Sequence, residues 1–236
     1  RDSGMFSLPG FGQSRGVVAG SSPGAERVVM VGEDGKVRVG GRGDDEERQI
    51  EVPFDARVTA VALAGKSVLV GDERGRLQLI SIEGDDYELV HENAHSRAIT
   101  SIDSALDGRV IVFSTAGGAV YLFDRRRRSH PFQVKSGVSV DAVAVSIKGG
   151  FVAIADQDGQ ISIRDLASPS KNVAETRARG EVTRLTFSND GYLLAALYND
   201  RRLSLFHVDT GREIMDIAEM IEQPLTICFD DQNQLF

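Results

Sequence analysis

Apolar and polar residues follow one pattern that returns about every forty residues along the chain. The clearest copy spans residues 158–165, where an Asp-Gly turn leads into a strand of alternating polar and apolar residues. Similar turn-and-strand segments stand at 34–39, 74–79, 117–124 and 200–205. Recurrence at a fixed interval indicates one structural unit that is used several times, and it decides the fold before any single residue does.

Each repeat contains four predicted strands with different patterns. The second residue of the first strand stands at 59, 100, 141, 183 and 226. Successive repeats are therefore 41, 41, 42 and 43 residues apart. Second strands are continuous apolar runs that must be covered on both faces, third strands alternate, and fourth strands are short and polar like solvated edges. The pattern predicts an all-β protein built of four-stranded antiparallel sheets.

A single four-stranded sheet of this kind cannot bury both of its faces. Arranging the sheets radially, as blades of a β-propeller, solves this problem because each blade covers the next. A sandwich or barrel is the alternative, but neither naturally produces this period. We expect a propeller over 16–236, after a tail or isolated strand at 1–15. The predicted blades lie near 16–53, 57–91, 98–134, 139–176 and 181–217, with part of a sixth at 224–236.

Two segments carry a family resemblance. One reads Ser188-Asn189-Asp190-Gly191-Tyr192-Leu193-Leu194-Ala195 and is followed by 203–206 and 209–211. The other is Ala94-His95, followed after three residues by the strand at 99–102. Together with the period, they resemble the WD-repeat β-propeller family over residues 16–236. The repeats are degenerate, because the chain has no tryptophan and Arg164 stands where that family usually has one.

The resemblance implies a ring of seven blades, of which this sequence contains five complete predicted blades and part of a sixth. We expect the ring to be completed by sequence outside this chain or by a partner, because an open array would expose an apolar blade face at each end. The resemblance also implies that the second-to-third-strand turns share one face with the loops that lead into each blade.

Composition limits the cellular compartments and the classes of binding partner that are expected for this chain. The net charge is −8 and the pI is about 5.1, so no global basic field would attract nucleic acid or an anionic membrane. No apolar run approaches the roughly 18 residues of a membrane span. The single cysteine, Cys228, excludes an intrachain disulfide framework. These features indicate an intracellular protein, cytoplasmic or nuclear, that does not bind a membrane.

Catalytic chemistry is sparse in the sequence. His91-Glu92-Asn93-Ala94-His95 has the HExxH spacing of zinc proteases, but that motif works on a helix, and here His91 closes a predicted fourth strand. The repeats carry no nucleophile with a base and an orienting group, no metal cluster and no phosphate loop. We therefore expect no catalytic residue, no metal site and no cofactor.

The predicted turns on the shared face are acidic. Seven acids and two bases give them a net charge of about −5, although good turn chemistry alone explains at least half of these residues. The acids are Glu33, Asp34, Asp72, Glu73, Asp156, Asp158 and Asp200. Such an edge suits a basic or mixed-charge peptide. The predicted partner-binding residues are Asp72, Glu73, Arg74, Arg97, Asp156, Asp158, Asp200 and Arg201.

A basic loop is predicted between the third and fourth strands of one blade. It consists of Arg125, Arg126, Arg127 and Arg128. Guanidinium groups bind phosphates and carboxylates, but no aromatic residues are interleaved to stack bases. Three interpretations stay open: a solvated loop, a site for an acidic protein partner, and a site for nucleic acid.

The sequence therefore predicts a non-catalytic protein–protein interaction scaffold, a propeller platform within a larger protein or multi-subunit complex. Its partners are expected to be proteins, namely subunits of that assembly. The alternative is a nucleic-acid-associated assembly scaffold that uses the basic loop. A propeller enzyme, with its chemistry at the channel mouth, is a further alternative.

Overall fold

The fold is described from a computed structural model of the chain. The structure describes residues 16–21, 27–32, 36–41, 48–52, 56–84, 86–92, 97–105, 108–127, 132–135, 137–146, 150–218, 220, 227–229 and 232–235. The predicted tail at 1–15 lies outside these residues, as do Glu33, Asp34, His95 and Arg128. No helix in the described part of the chain is long and apolar enough to cross a membrane.

In the described residues, twenty strands form five four-stranded antiparallel sheets, which we number 1 to 5 in chain order. Sheet 1 contains β1 (Gly16–Ser21), β2 (Arg27–Gly32), β3 (Val37–Gly41) and β4 (Arg48–Ile50). Sheet 2 contains β5 (Val58–Ala64), β6 (Ser67–Asp72), β7 (Arg76–Ser81) and β8 (Tyr87–Glu92). Sheet 3 contains β9 (Ile99–Ala105), β10 (Val110–Thr115), β11 (Val120–Asp124) and β12 (Phe132–Lys135).

The last two sheets repeat the same organisation. Sheet 4 contains β13 (Val140–Val145), β14 (Phe151–Asp156), β15 (Gln160–Asp165) and β16 (Asn172–Arg177). Sheet 5 contains β17 (Val182–Phe187), β18 (Leu193–Tyr198), β19 (Leu203–His207) and β20 (Glu213–Ile217). In every sheet the strands pair in sequence order, so each sheet is a meander of hairpins. The predicted all-β class and the four-strand repeat are confirmed.

Consecutive sheets bury their apolar faces against each other. In β6, Val68 and Val70 belong to the core shared with sheet 1, whereas Leu69 belongs to the core shared with sheet 3. In β14, Val152 faces sheet 3 and Ala153 faces sheet 5. The second strands are continuous apolar runs because both of their faces are covered, as the sequence pattern predicted.

The first strands of consecutive sheets lie side by side. Strands β1, β5, β9, β13 and β17 contact one another in that order. Hydrogen bonds cross these junctions at similar sequence offsets of 41 and 42 residues: Ser104 Oγ donates to Leu63 O (2.6 Å), and Val143 N donates to Ser101 Oγ (3.1 Å). The first strands therefore run in the same direction, and corresponding turns of all five sheets lie at the same edge.

The fourth strands are the solvated edges that the sequence predicted. Four of the five residues of β20 are exposed, and Tyr87 and Leu89 of β8 are 60% and 49% exposed. In sheet 4, Arg164 of β15 is half-buried, and its Nη1 donates to Val134 O of sheet 3 and to Pro169 O (both 3.1 Å). Arg164 thus links two sheets.

A sixth repeat begins after sheet 5. Phe229 forms an antiparallel bridge with Leu235, and Asn233 has a φ of 59°, like Gly191 in the corresponding turn of sheet 5. Ile227 and Phe229 pack on the face of sheet 5 that points away from sheet 4. These residues cover part of the second face of sheet 5.

Candidate functional site

One edge of the sheets carries the turns after the second strands together with the segments that lead into the first strands. We call it the upper edge. A backbone hydrogen bond fixes the two parts to each other in four successive sheets, always from the turn to the residue just before the first strand. The donor and acceptor pairs are Glu73 and Arg57 (3.0 Å), Ala116 and Ala98 (2.8 Å), Gln157 and Ser139 (3.0 Å), and Asn199 and Glu181 (3.1 Å).

An open depression with a volume of about 550 Å³ lies in the upper edge between sheets 4 and 5. Its walls are the β14–β15 turn, the β16–β17 connection and one residue of β13. The lining residues are Asp141, Asp156, Gln157, Asp158, Gly159, Ala178, Arg179, Gly180 and Glu181. Four of these nine residues are acidic, and one is basic. We call this feature the acidic depression.

The structure places the eight predicted partner-binding residues at the upper edge but not in one site. Asp156 and Asp158 line the acidic depression. Asp72, Glu73 and Arg74 end β6 or follow it in the β6–β7 turn. The remaining three are Arg97, just before β9, and Asp200 and Arg201, in the β18–β19 turn.

The carboxylates of Asp72 and Asp156 are buried within their own turns. Asp72 is 0% exposed; its Oδ1 accepts hydrogen bonds from Arg74 N (3.0 Å) and Arg76 N (2.8 Å), and its Oδ2 pairs with Arg76 Nε (2.6 Å). Asp156 is 4% exposed and accepts from Gln160 N (2.9 Å). These positions favour a role in holding the turn, because a partner has no access to the Asp72 carboxylate.

The other predicted residues at the upper edge are exposed charges. Glu73 pairs with Arg57 (3.5 Å), and Asp200 pairs with Arg202 (3.3 Å). Arg201 has a φ of 65° at the tip of its turn. The Arg97 side chain lies across Gly117, where an added Cβ would come within 2.7 Å of Arg97 Cδ. Exposed ion pairs of this kind contribute little to the free energy of folding. These residues can therefore leave their present ion pairs and contact a binding partner at a small cost in free energy.

Arg179 is the basic residue of the acidic depression, and its charge is paired with carboxylates that lie outside the depression. Its Nε and Nη2 donate to Glu213 Oε1 (3.0 Å) and Oε2 (2.5 Å) on β20, and Asp216 lies 3.6 Å away. Ser204 Oγ also donates to Glu213 Oε1 (2.8 Å). The hydrogen bond from Arg179 lowers the pKa of Glu213. The guanidinium is therefore held toward β20.

The remaining charges of the depression are carboxylates. Asp158 and Glu181 are exposed, and Asn199 Nδ2 donates to Glu181 Oε2 (2.6 Å). Asp141 is partly buried, and burial raises its pKa, as do the charges of Glu181 and Asp156, against a hydrogen bond from Gln157 that lowers it. A concave site with excess negative charge favours a lysine or arginine side chain from a partner.

Sequence reasoning did not select Asp141, Glu181 or Glu213. A signal for Asp141 was present, because it stands where four other repeats have Thr59, Thr100, Thr183 and Thr226. Glu181 precedes a predicted first strand and resembles any polar loop residue. The pairing of Arg179 with Glu213 joins positions 34 residues apart and has no local sequence signal.

A second ionisable site lies among the first strands. Asp103 of β9 accepts hydrogen bonds from Ser104 N (2.8 Å) and, across the junction with sheet 4, from Val145 N (2.8 Å). Burial raises the pKa of Asp103 to about 7, although both hydrogen bonds and the charge of Arg184 on β17 lower it. Burial also lowers the pKa of Arg184, and the charge of Asp103 opposes that shift.

Asp103 is expected to make stability depend on pH. Its pKa is higher in the folded chain than in the unfolded one, so its contribution is fully present below about pH 4 and is lost as the pH rises through about 7. Denaturant titrations across this range should show the free energy of unfolding of Asp103→Asn changing less with pH than that of wild type. Asp158→Asn, at an exposed carboxylate, is the control. Equal slopes for Asp103→Asn and wild type would contradict the assignment.

The basic loop lies at the opposite edge, which we call the lower edge. Residues Arg125–Arg127 form a short 3-10 helix, in which Arg126 is exposed and its backbone N–H donates to Asp124 Oδ1 (3.0 Å). Arg125 Nη2 pairs with Glu88 Oε2 of sheet 2 (2.7 Å). One of the predicted basic residues thus has a role between sheets 2 and 3, and the loop is separate from the acidic depression.

The HExxH segment does not form a helix around its first histidine. His91 lies on β8 and packs against the rings of Phe113 and Tyr121 at centroid distances of 5.0 and 5.1 Å. Burial lowers the pKa of His91. Over the residues that the structure describes, no group of three or more His, Cys, Asp or Glu side chains is arranged to hold a metal ion.

Comparison with protein-family models found no match, and comparison with curated proteins found none.

Proposed function

We propose that the five sheets are blades of a WD-repeat-like β-propeller that acts as a non-catalytic platform for protein partners within a larger protein or assembly. The succession of first strands supports a radial arrangement, because each first strand contacts the next while the fourth strands remain solvated edges. Shared apolar cores between all consecutive sheets support the same arrangement. The regular repeat of 41–43 residues agrees with it.

The acidic depression is the observation that carries the interaction function. It is concave, it opens at the upper edge, and its arginine is already paired with Glu213 and Asp216. A partner that places a lysine or arginine between Asp158 and Glu181 would gain charge-assisted hydrogen bonds without displacing Arg179. The partner segment is therefore expected to be a basic or mixed-charge loop or extended peptide.

The charge of this site also determines how the complex forms. Complementary charges at an exposed edge raise the association rate and fix the orientation of the partner more than they raise the affinity. Exposed charges are screened by salt over about 10 Å at 0.1 M ionic strength. Association with the partner should therefore slow as salt is added.

Charge reversal at two exposed residues tests the proposal. A partner recovered by affinity purification with the wild-type chain should bind the double variant Asp158→Lys, Glu181→Lys at least about tenfold more weakly, because like charges then face each other. Isothermal titration of the purified pair measures the affinity. Asp209→Lys, an exposed aspartate in the β19–β20 turn at the lower edge, is the matched control and should bind like wild type.

The same binding measurement distinguishes this proposal from the alternative, a scaffold that binds its ligand through the basic loop. If the recovered ligand is an acidic protein or a nucleic acid, its binding should be weakened by Arg126→Ala and unaffected by the depression variant. Binding of a nucleic acid should also fall steeply with salt, and this slope should decrease in Arg126→Ala. That pair of results would contradict the platform proposed at the upper edge and would place the function at the basic loop.

A further inference from the structure

Each first strand contains a β-bulge at its second residue. The register of pairing with the second strand shifts there in all five sheets. The extra residues are Val17, Thr59, Thr100, Asp141 and Thr183. A bulge re-aims the side chain of the extra residue, and a bulge that recurs in every repeat fixes a recurring side-chain position.

At two of these bulges a hydroxyl group joins consecutive sheets. Thr59 Oγ1 donates to Ile99 O (2.6 Å), and Thr100 Oγ1 donates to Val140 O (3.4 Å). In both cases the acceptor is the carbonyl of the first residue in the next first strand. The bulge threonines of sheets 2 and 3 therefore each contact the junction that follows, although Thr100 Oγ1 also lies 2.7 Å from Ser114 Oγ. The bulge threonine of sheet 5, Thr183, donates within its own sheet to Leu197 O (3.1 Å).

Asp141 occupies the corresponding position at the junction between sheets 4 and 5. The corresponding acceptor is the carbonyl of Val182, the first residue of β17, and β13 contacts β17 along this junction. An ionised carboxylate has no proton to donate, whereas a protonated one has an O–H donor like that of threonine. A side chain at this position can therefore supply the same kind of bond to Val182 O only when Asp141 is protonated.

The surroundings of Asp141 shift its protonation to higher pH than that of an ordinary aspartate. Asp156 at the end of β14, Asp158 in the β14–β15 turn and Glu181 before β17 bring three further carboxylates to the same depression. Arg179, the cation there, is engaged by Glu213 and Asp216 on β20. Gln157 supplies a hydrogen bond to the Asp141 carboxylate, but burial and the charges of Glu181 and Asp156 together raise its pKa.

We propose that Asp141 is a proton-sensitive joint between sheets 4 and 5. When protonated, it donates to the Val182 carbonyl and closes the junction as Thr59 and Thr100 close theirs. When ionised, it has no donor for this carbonyl and adds a negative charge to the acidic depression. Acidification therefore tightens this junction and reduces the charge of the depression. The inference follows from the bulge register and does not require any partner.

Two substitutions test the joint. Asp141→Thr places a permanent hydroxyl donor at the bulge, and Asp141→Asn supplies an uncharged N–H donor. Both variants should be more stable than wild type at about pH 8, and the difference should shrink as the pH falls and wild-type Asp141 becomes protonated. The quantity measured is the midpoint of thermal unfolding, followed by circular dichroism. Because each variant is compared with wild type at the same pH, the contribution of Asp103 cancels.

Asp158→Asn is the matched control, since it removes an exposed charge from the same depression at a position that is not a bulge. Its difference from wild type should stay smaller than that of Asp141→Asn. Titration of the Asp141 carboxyl ¹³C resonance in the wild-type protein is a second test that does not depend on the variants. Differences that stay constant with pH for both Asp141 variants would overturn the proposal, as would a measured pKa at or below the ordinary value for aspartate.

Discussion

Replacing Gly118 with alanine is expected to destabilise the protein by about 3 kcal/mol, which combines the strain of an alanine in left-handed backbone with overpacking. Gly118 lies in the β10–β11 turn with a φ of +75°. A Cβ there would stand 2.4 Å from both Gly137 O and Val138 O. These contacts are with backbone atoms just before β13, so no flexible side chain can move away. Denaturant unfolding of wild type and variant measures the difference.

Gly150→Ala separates the two causes. Gly150 has a φ of +69°, close to that of Gly118, but an added Cβ would meet nothing within 4 Å. The Gly150→Ala variant should therefore lose only the free energy of the backbone strain, about 1 kcal/mol. If Gly118→Ala is no more destabilising than Gly150→Ala, the close approach of the β10–β11 turn to the segment before β13 is not as described.

Replacing Asp72 with alanine is the other change with a large expected effect, also about 3 kcal/mol. The substitution removes the acceptor of two backbone N–H groups and the partner of the Arg76 guanidinium. Asp72 is fully buried, so water does not reach its side chain in the folded protein. The loss should appear in the denaturant midpoint without a change in the slope of the transition.

Two neighbouring substitutions show whether the effect comes from these hydrogen bonds. Asp72→Asn keeps an oxygen that can accept from Arg74 N and Arg76 N but has no charge for the guanidinium, so it should lie between Asp72→Ala and wild type. Glu73→Ala, one residue later and exposed, should change stability by less than about 0.5 kcal/mol. An Asp72→Ala protein as stable as Glu73→Ala would show that the carboxylate does not hold the turn.

Much of the fold could be predicted because it depends on patterns that repeat. The apolar runs of the second strands, such as β10 and β14, predicted which strands are buried on both faces of their sheets. The positions of Thr59, Thr100, Asp141 and Thr183 gave the repeat period, and the structure places a bulge at each of them, which the sequence analysis did not predict. Such patterns tolerate a charged residue within a strand, as at Arg164 of β15, because burial and strand pairing depend on many positions together.

The candidate site was harder to predict because burial of a charge depends on tertiary contacts. Asp72 and Asp158 are both acidic residues next to a tight turn, yet one is fully buried and the other is exposed. The difference is their position: Asp72 is the last residue of its strand, and Asp158 is within its turn. The pairing of Arg179 with Glu213 decides the charge of the depression, and it joins segments that are distant in sequence.

Carboxyl footprinting tests the central claim, that protein partners bind at the acidic depression, most directly. The chain is labelled with a carbodiimide and an amine, free and in complex with its purified partner, and modification of each carboxylate is measured by mass spectrometry. We predict that Asp158 and Glu181 lose most of their modification in the complex while Asp209, at the lower edge, keeps its own. Unchanged modification of Asp158 and Glu181, together with protection at the lower edge, would contradict the account.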